Sequence, residues 1–277
     1  MRALLCVSDF PYTEPTVRFG GIVTEALLSD LTLLSVRSDS EKEKRGEEVL
    51  KRASDLISAD MIKTKTRRGP AGNEIMDELD SDDYDVLIIG ARDHPSTGEL
   101  LLGFVARRLV KQAQTSVLVI RQPPSRVKHI LVCTSGPSAS KTTVRVGAQL
   151  AQATGAYTTL LHVAAAVPSM YAGLSRLGEG LPDLLQTGTP MARHLKWCAE
   201  CLKSHDVDAR LELRHGLPSE QILRATQVDD YDLIVIGGSS HRGLNRMLLD
   251  EVSLQIVGNA PRPVLVVRSD LTKHALT

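Results

Sequence analysis

The chain has 277 residues, which is enough for two domains of ordinary size. Its 33 basic and 33 acidic residues balance, and only 3% of residues are aromatic, so it lacks the basic face and the stacking surfaces of a nucleic-acid-binding protein. No apolar run is long enough to cross a bilayer. The apolar stretch within the first nine residues is shorter than the apolar region of an export signal. We therefore expect a cytoplasmic protein with reduced cysteines that binds neither nucleic acid nor a membrane.

Short runs rich in Val, Ile and Leu alternate with amphipathic stretches along the first half of the chain. The stretch 41–58, for example, carries apolar residues at helical spacing. Runs of this composition suit strands that are buried on both faces, and their alternation with helices predicts an open parallel α/β sheet. The five predicted strands of this half are 3–7, 31–36, 61–66, 86–89 and 116–120.

The second half repeats this alternation after a short linker that contains Pro123 and Pro124. Two consecutive prolines make such a linker stiff. The five strands predicted beyond it are 130–134, 159–163, 209–213, 233–236 and 264–267.

An internal repeat of domain length relates the two halves. The segment 84–90 reappears at 231–237, a shift of 231 − 84 = 147 residues, whereas Cys6 and Cys133 align at a shift of 133 − 6 = 127. A repeat of this length predicts two copies of one fold, at residues 1–122 and 127–270. The difference of 20 residues indicates an insertion in the second copy, which we expect to be a long irregular loop near 164–190.

The repeated segments resemble the universal stress protein family in its tandem form. The resemblance rests on Asp-Val-Leu-Ile-Ile-Gly at 85–90, Asp-Leu-Ile-Val-Ile-Gly at 232–237, the Gly-Leu-Pro turn at 216–218 and the closing segment 259–268. It implies two five-stranded parallel sheets flanked by helices. It also implies a pseudo-dimer of the two domains that is formed through their last strands. Further dimerisation of the whole chain and an unidentified protein partner stay open.

Many members of that family bind ATP through Gly-x2-Gly-x9-Gly-Ser/Thr and an Asp at the end of the first strand, and both copies here depart from this pattern. Asp93 replaces a glycine in the first copy, and Ser240 does so in the second. Acidic Asp250 and Glu251 replace the final glycine and hydroxyl residue in the second copy, where like charges would repel a phosphate. The candidate binding positions are Ser8, Val36, Gly90, Asp93, Gly103, Ser135, Val163, Gly237 and Ser240, together with His241, which has an equivalent histidine just past the turn of the first copy.

These departures favour a non-catalytic stress-response protein that acts as a ligand- or partner-binding regulator. The alternative is an ATP-binding switch, with or without hydrolysis, because Gly90, Gly103 and Gly237 persist. Because both motifs are degenerate, we expect ATP to bind weakly or not at all and assign no cofactor. ATP or AMP is the ligand that the alternative implies. The sequence offers no catalytic constellation and no metal site.

Two further patterns are interpreted as structural. His194, Cys198, Cys201 and His205 fall on one helical stripe, but the first and last lie about 16 Å apart along a helix, too far for one metal ion. We therefore expect a core-facing helix surface. The serine-rich turn 135–140 is expected to cap the following helix.

Overall fold

The structure of the protein is a computed structural model that describes residues 1–37, 43–57, 62–91, 102–137, 140–165, 181–238 and 244–268. Strands and helices alternate along these ranges, except that the fifth strand is followed directly by the sixth at the junction of the halves and the sixth helix directly by the seventh. The strands are Arg2–Cys6 (β1), Asp30–Arg37 (β2), Ile62–Arg68 (β3), Val86–Gly90 (β4), Ser116–Ile120 (β5), His129–Thr134 (β6), Tyr157–Ala164 (β7), Ala209–His215 (β8), Leu233–Gly237 (β9) and Val264–Val267 (β10). The helices are Glu14–Ala26 (α1), Glu43–Ser54 (α2), Ala71–Ser81 (α3), Phe104–Gln112 (α4), Lys141–Thr154 (α5), Leu181–Gln186 (α6), Pro190–Ser204 (α7), Pro218–Val228 (α8) and Leu244–Asn259 (α9).

The ten strands form one continuous sheet in the order β3-β2-β1-β4-β5-β10-β9-β6-β7-β8. Within each half every neighbouring pair is parallel. The predicted α/β class with a parallel five-stranded sheet in each half is therefore confirmed. The order reverses between β1 and β4, and between β6 and β9, and such switch points open a crevice at the carboxyl ends of the strands.

The two halves join through their last strands, as the resemblance implies. Strand β5 pairs with β10 in antiparallel register, with Leu118 opposite Leu265. These two residues are equivalent under the repeat, since 265 − 118 = 147, so the pseudo-twofold axis passes between them. Pairing hides two apolar edges that would otherwise promote aggregation. The two sheets that we expected are thereby merged into one.

Two apolar cores cover the faces of the sheet, and each runs through both halves. Helices α1, α2, α5 and α7 contribute to one core, and α3, α4, α8 and α9 contribute to the other. Helix burial of this kind follows from the apolar stripe that each helix presents to the sheet. None of the helices in the described ranges is both long and apolar enough to cross a membrane.

The region 164–190 differs from the irregular loop that we expected. Residues 166–180 lie outside the described ranges, but the segment Leu181–Gln186 forms α6, so the expectation is wrong there. Thr189 then caps α7, because its Oγ1 accepts a hydrogen bond from the Ala192 amide at 3.2 Å. The glycines and prolines that suggested a loop are concentrated before these helices and at their first turns, where proline is tolerated.

Candidate functional site

The first half has a cavity of about 320 Å³ at the switch point between β1 and β4. It opens at the carboxyl ends of β1, β2 and β4, where α/β sheets bind ligands. One wall is apolar and includes Leu34, Val36, Ile75, Ile89, Val105 and Leu109. Polar side chains gather beside the strand ends, namely Ser8, Asp9, Tyr12, Thr13, Thr16 and Arg37.

Three of the first-half candidates line this cavity, namely Ser8, Val36 and Gly90. Gly103 is the residue that precedes α4, and an added Cβ there would meet nothing within 4 Å. It therefore lies close to the cavity wall formed by Val105 without being pressed against another group. Asp93 lies outside the described residues, so its expected effect on phosphate stays a prediction.

Gly90 is required because the chain packs tightly against it. A Cβ at this position would lie 2.6 Å from Oγ1 of Thr16, which lies in the first turn of α1. That distance is too short for a real contact. The glycine that the family pattern places at the end of β4 thus has a packing role here, in addition to any role toward a ligand.

An ion pair beside the cavity was missed in the sequence. Arg37 at the end of β2 donates a hydrogen bond from Nη1 to Oδ1 of Asp9 at 2.8 Å, and its Nε donates to Oγ of Ser35 at 3.0 Å. Nε of Arg45 in α2 lies 3.4 Å from the same Asp9 oxygen. Asp9 and Arg37 directly follow the candidate positions Ser8 and Val36. The alignment with the family motif selected the residue before each member of the ion pair.

The second half builds the same turn after its first strand. The amide of Ser8 donates to Oγ1 of Thr13 at 3.3 Å, and the amide of Ser135 donates to Oγ of Ser140 at 2.9 Å. Both pairs obey the shift of 127. The expectation that the serine-rich turn caps the next helix is wrong in this respect: Ser140 stands at the cap of α5, but its side chain makes no capping hydrogen bond. Its hydroxyl instead closes the preceding turn.

The second half has no counterpart of the ion pair. The shift of 127 places Gly136 at the position of Asp9 and Ala164 at the position of Arg37. A Cβ on Gly136 would lie 3.2 Å from the terminal methyl of Met191. The first residues of α7 therefore cover the position at which a carboxylate stands in the first half.

In the second half, His162 and His194 lie beside Thr134 at the end of β6. Nε2 of His194 lies 2.6 Å from Oγ1 of Thr134 and 3.4 Å from Sγ of Cys198, and Nδ1 of His162 lies 2.9 Å from the carbonyl oxygen of Thr134. Burial, together with nearby His162 and Lys141, lowers the pKa of His194, so it is held neutral. Of the second-half candidates, Ser135, Val163 and Gly237 lie at these strand ends, whereas Ser240 and His241 lie outside the described residues.

The histidine and cysteine stripe of α7 faces the core. His194, Cys198 and Cys201 are buried, and burial raises the pKa of the Cys198 thiol to about 12. A thiol with a raised pKa is a poor nucleophile and a poor metal ligand. In the part of the chain that the structure describes, no three His, Cys, Asp or Glu side chains are placed to hold a metal ion.

The sequence profile of the universal stress protein family matches residues 1–121 and again residues 126–268. The chain belongs to the universal stress protein family. It is similar to a universal stress protein of Methanocaldococcus jannaschii, with 29% identity over 153 residues that cover 54% of this chain and 87% of the relative. A Thermus aquaticus universal stress protein is 32% identical over 142 residues, which cover 51% of this chain and 98% of that protein.

The whole fold has a counterpart among solved structures. A universal stress protein from Archaeoglobus fulgidus superposes with a TM-score of 0.71 at 17% identity, and the match covers 96% of this chain and 98% of the other. At that identity the similarity establishes the fold. Two family domains in one chain, joined through β5 and β10, form the pseudo-dimer of this universal stress protein.

Proposed function

We propose that this universal stress protein is a non-catalytic regulator that binds a nucleoside-sized ligand in its first domain. The observation that carries the proposal is the asymmetry of two equivalent sites. The first domain keeps a cavity with polar side chains at the strand ends, whereas in the second domain Met191 and His194 pack over the corresponding turn. The second domain then serves as the partner that completes the sheet.

The size and lining of the cavity suit an adenine nucleoside or its monophosphate. A volume of about 320 Å³ is at the lower end of the range for small-molecule sites, which is roughly 300–1,000 Å³. Its apolar wall suits a flat base, and hydroxyl groups from Ser8, Thr13 and Thr16 suit a sugar. AMP is therefore our first candidate, and ATP is the second.

The cavity lining supports a binding role over a catalytic one. The lining residues include one carboxylate, Asp9, and Arg37 holds it in an ion pair. A paired carboxylate is a weak general base, because the neighbouring positive charge stabilises its charged form. The lining residues that the structure describes include no histidine that could activate the hydroxyl groups.

One observation favours the alternative of an ATP-binding switch. Helix α4 begins after Gly103 without a side-chain cap, so its first backbone amides are not satisfied by the residue that precedes them. A helix start of this kind attracts phosphate. Turnover of ATP, measured as released phosphate, would favour this alternative over a purely binding role.

The proposal is tested by filling the cavity. Val105 lines it, and Val252 is the equivalent residue of the second domain, since 252 − 105 = 147. We expect calorimetry to show AMP binding to the wild type and to Val252→Trp, and at least about tenfold weaker binding to Val105→Trp, since a bulky ring occupies space that the ligand needs. Equal binding by both variants, or no binding of adenosine, AMP or magnesium ATP to the wild type, contradicts the proposal.

A further inference from the structure

Among the residues that the structure describes, two arginines beside the first-domain cavity pair with the same carboxylate. Arg37 lies 2.8 Å and Arg45 lies 3.4 Å from the same carboxylate oxygen of Asp9. Two guanidinium groups therefore share one anionic side chain among the residues that the structure describes. Since buried and half-buried charges are stable only when they are compensated, this arrangement favours the arrival of a second anion.

Arg37 is the better buried of the two cations. Only 9% of its side chain is exposed, and it lines the cavity. Its Nε and Nη1 donate to Ser35 and Asp9, whereas its Nη2 is buried and has no hydrogen-bond partner among the described residues. An unsatisfied donor of this kind is costly, and a ligand that engages the guanidinium would recover that cost.

The fold itself does not need these charges. The second domain builds the same strand, turn and helix with Gly136 and Ala164 at the positions of Asp9 and Arg37. Within the described part of the second domain, no ion pair equivalent to that of Asp9 and Arg37 stabilises the turn. The charges of the first domain therefore require a reason other than folding, and their place on the wall of a cavity supplies one.

We propose that Arg37 and Arg45 form a phosphate subsite at the ends of β1 and β2, in which Asp9 is the resident anion that the ligand displaces. The inference rests on the proposed function and makes the ligand a nucleoside monophosphate. The phosphate accepts hydrogen bonds from the two guanidinium groups, which bind such oxygens with favourable geometry. Asp9, whose side chain is 42% exposed, turns toward solvent, where a carboxylate is well hydrated.

The position of this subsite separates it from the turn after β4. Arg37 ends β2, and its backbone carbonyl accepts a hydrogen bond from the Gly69 amide at 2.9 Å, which fixes the strand end. The guanidinium thus projects from a rigid element instead of a loop. A phosphate held there lies on the β1–β2 side of the switch point, whereas a phosphate at the start of α4 lies on the β4 side.

The test compares AMP with adenosine, its neutral counterpart, by calorimetry. We expect the wild type to bind AMP about tenfold more tightly than adenosine, and Arg45→Gln to reduce that preference to about threefold or less. Arg45 is 62% exposed, so its replacement should leave the fold intact. Arg52→Gln is the matched control, because Arg52 lies on the same helix, is 59% exposed and pairs with Glu14 instead of Asp9. The preference of this variant for AMP over adenosine should equal that of the wild type.

Two more variants test the ion pair of Arg37 and Asp9. Arg37→Met should abolish the preference for AMP, with circular dichroism as the check that the domain is folded. Asp9→Asn removes the resident anion, so it should tighten AMP binding about threefold or more and raise the preference for AMP over adenosine. Weaker AMP binding by Asp9→Asn would make Asp9 a ligand contact and would overturn its displacement.

The outcomes separate this inference from the function on which it rests. If adenosine and AMP bind the wild type equally well, the subsite is wrong and the nucleoside-binding function stands. A preference for AMP that persists in both Arg37→Met and Arg45→Gln places the phosphate elsewhere and also overturns the subsite. If adenosine and AMP both fail to bind the wild type, the subsite is wrong, and if magnesium ATP also fails to bind, the proposed function falls with it. Rising ionic strength should weaken AMP binding more than adenosine binding, because salt screens the partly exposed Arg45.

Discussion

Arg121 and Arg268 occupy equivalent positions in the two domains, since 268 − 121 = 147, and each one closes the end of a helix in the other domain. Nη1 of Arg121 donates to the carbonyl oxygens of Val257, Gly258 and Ala260 at 3.2–3.3 Å, at the end of α9. Nη2 of Arg268 donates to the carbonyl oxygen of Val110 at 2.6 Å, in the last turn of α4. A cation at a helix C-terminus satisfies carbonyls that lack partners and opposes the helix dipole.

This reciprocal contact should stabilise the joined sheet. We expect Arg121→Met and Arg268→Met each to lower the free energy of unfolding by about 2 kcal/mol, because buried carbonyls lose a charged donor. Urea denaturation of the full chain provides the measurement. Arg262→Met is the control, because Arg262 donates to the Gln122 carbonyl across the same junction but at an exposed position. This substitution should lower the free energy of unfolding by less than about 0.5 kcal/mol. Equal losses in all three variants would contradict the assigned role.

A buried carboxylate supports the edge of the first domain. Lys65 Nζ lies 2.5 Å from Oε1 of Glu78, the Tyr84 hydroxyl donates to that oxygen at 2.8 Å, and Arg67 Nε donates to Oε2 at 2.9 Å. Burial works against the charged form of Glu78, but the hydrogen bonds from Lys65, Tyr84 and Arg67 outweigh it and hold its pKa below the usual range. Glu78 is therefore charged in the folded protein.

Replacing Glu78 should change the acid stability in a defined direction. A carboxyl group whose pKa is lowered by folding stabilises the protein above its unfolded pKa, and this contribution is lost as the pH falls through the folded pKa. Glu78→Gln should therefore lower the free energy of unfolding by about 3 kcal/mol near neutral pH. The difference in this free energy between the variant and the wild type should shrink below about pH 4. Denaturation across that pH range measures it. Glu74→Gln, which touches only Arg67 in this network, should cost under about 1 kcal/mol.

The close approach of Thr16 to Gly90 gives a prediction that separates packing from ligand binding. Gly90→Ala should destabilise the protein by about 2 kcal/mol, because the new methyl group would lie 2.6 Å from Thr16 Oγ1. Thr16→Ala removes that oxygen, so the double variant should recover most of the loss in a double-mutant cycle. Gly103→Ser, where no atom lies within 4 Å, should be neutral or stabilising by up to about 1 kcal/mol through helix capping. Additive losses at Gly90 and Thr16 would contradict the packing role.

The sequence alone predicted most of the fold. All ten strands were located within a few residues. Inner strands such as β4 and β5 are continuous apolar runs because both of their faces are buried, whereas the edge strands β3 and β8 are mostly polar and partly or fully exposed and were located by their place in the alternation. The joining of β5 to β10 followed from the resemblance, since equivalent apolar edges pair with each other. Helix α6 was missed because the many glycines and prolines of the insertion concealed a six-residue helical segment.

The candidate site was predicted less completely, for reasons that lie in three dimensions. Ser8, Val36 and Gly90 were located at the cavity because strand ends follow directly from strand positions. The contact between Asp9 and Arg37 joins residues 28 positions apart, one in the turn after β1 and the other at the end of β2, and no local pattern indicates it. The close approach of Met191 to Gly136 likewise depends on where the insertion places the first turn of α7. Neither contact can be read from composition or spacing.

The packing role of the second domain leads to a prediction for His194. Its side chain is buried against Thr134 and Cys198, and burial lowers its pKa, so the folded domain holds it neutral. On acidification the unfolded chain takes up this proton first, because its histidine keeps the ordinary pKa of about 6.5. The contribution of His194 is therefore fully present above about pH 6.5 and falls as the pH decreases toward the folded pKa.

Replacing His194 by glutamine removes the proton site and keeps a polar group beside Thr134. We expect His194→Gln to be less stable than the wild type near pH 8 by about 1 kcal/mol, and the difference to narrow or reverse near pH 5. Urea denaturation at several pH values between these limits measures it. Thr134→Val, which removes the hydroxyl partner but keeps the histidine, should lower stability and preserve the steep wild-type decline below about pH 6.5. Parallel pH profiles for the wild type and His194→Gln would show that His194 is not the buried neutral group that the structure indicates.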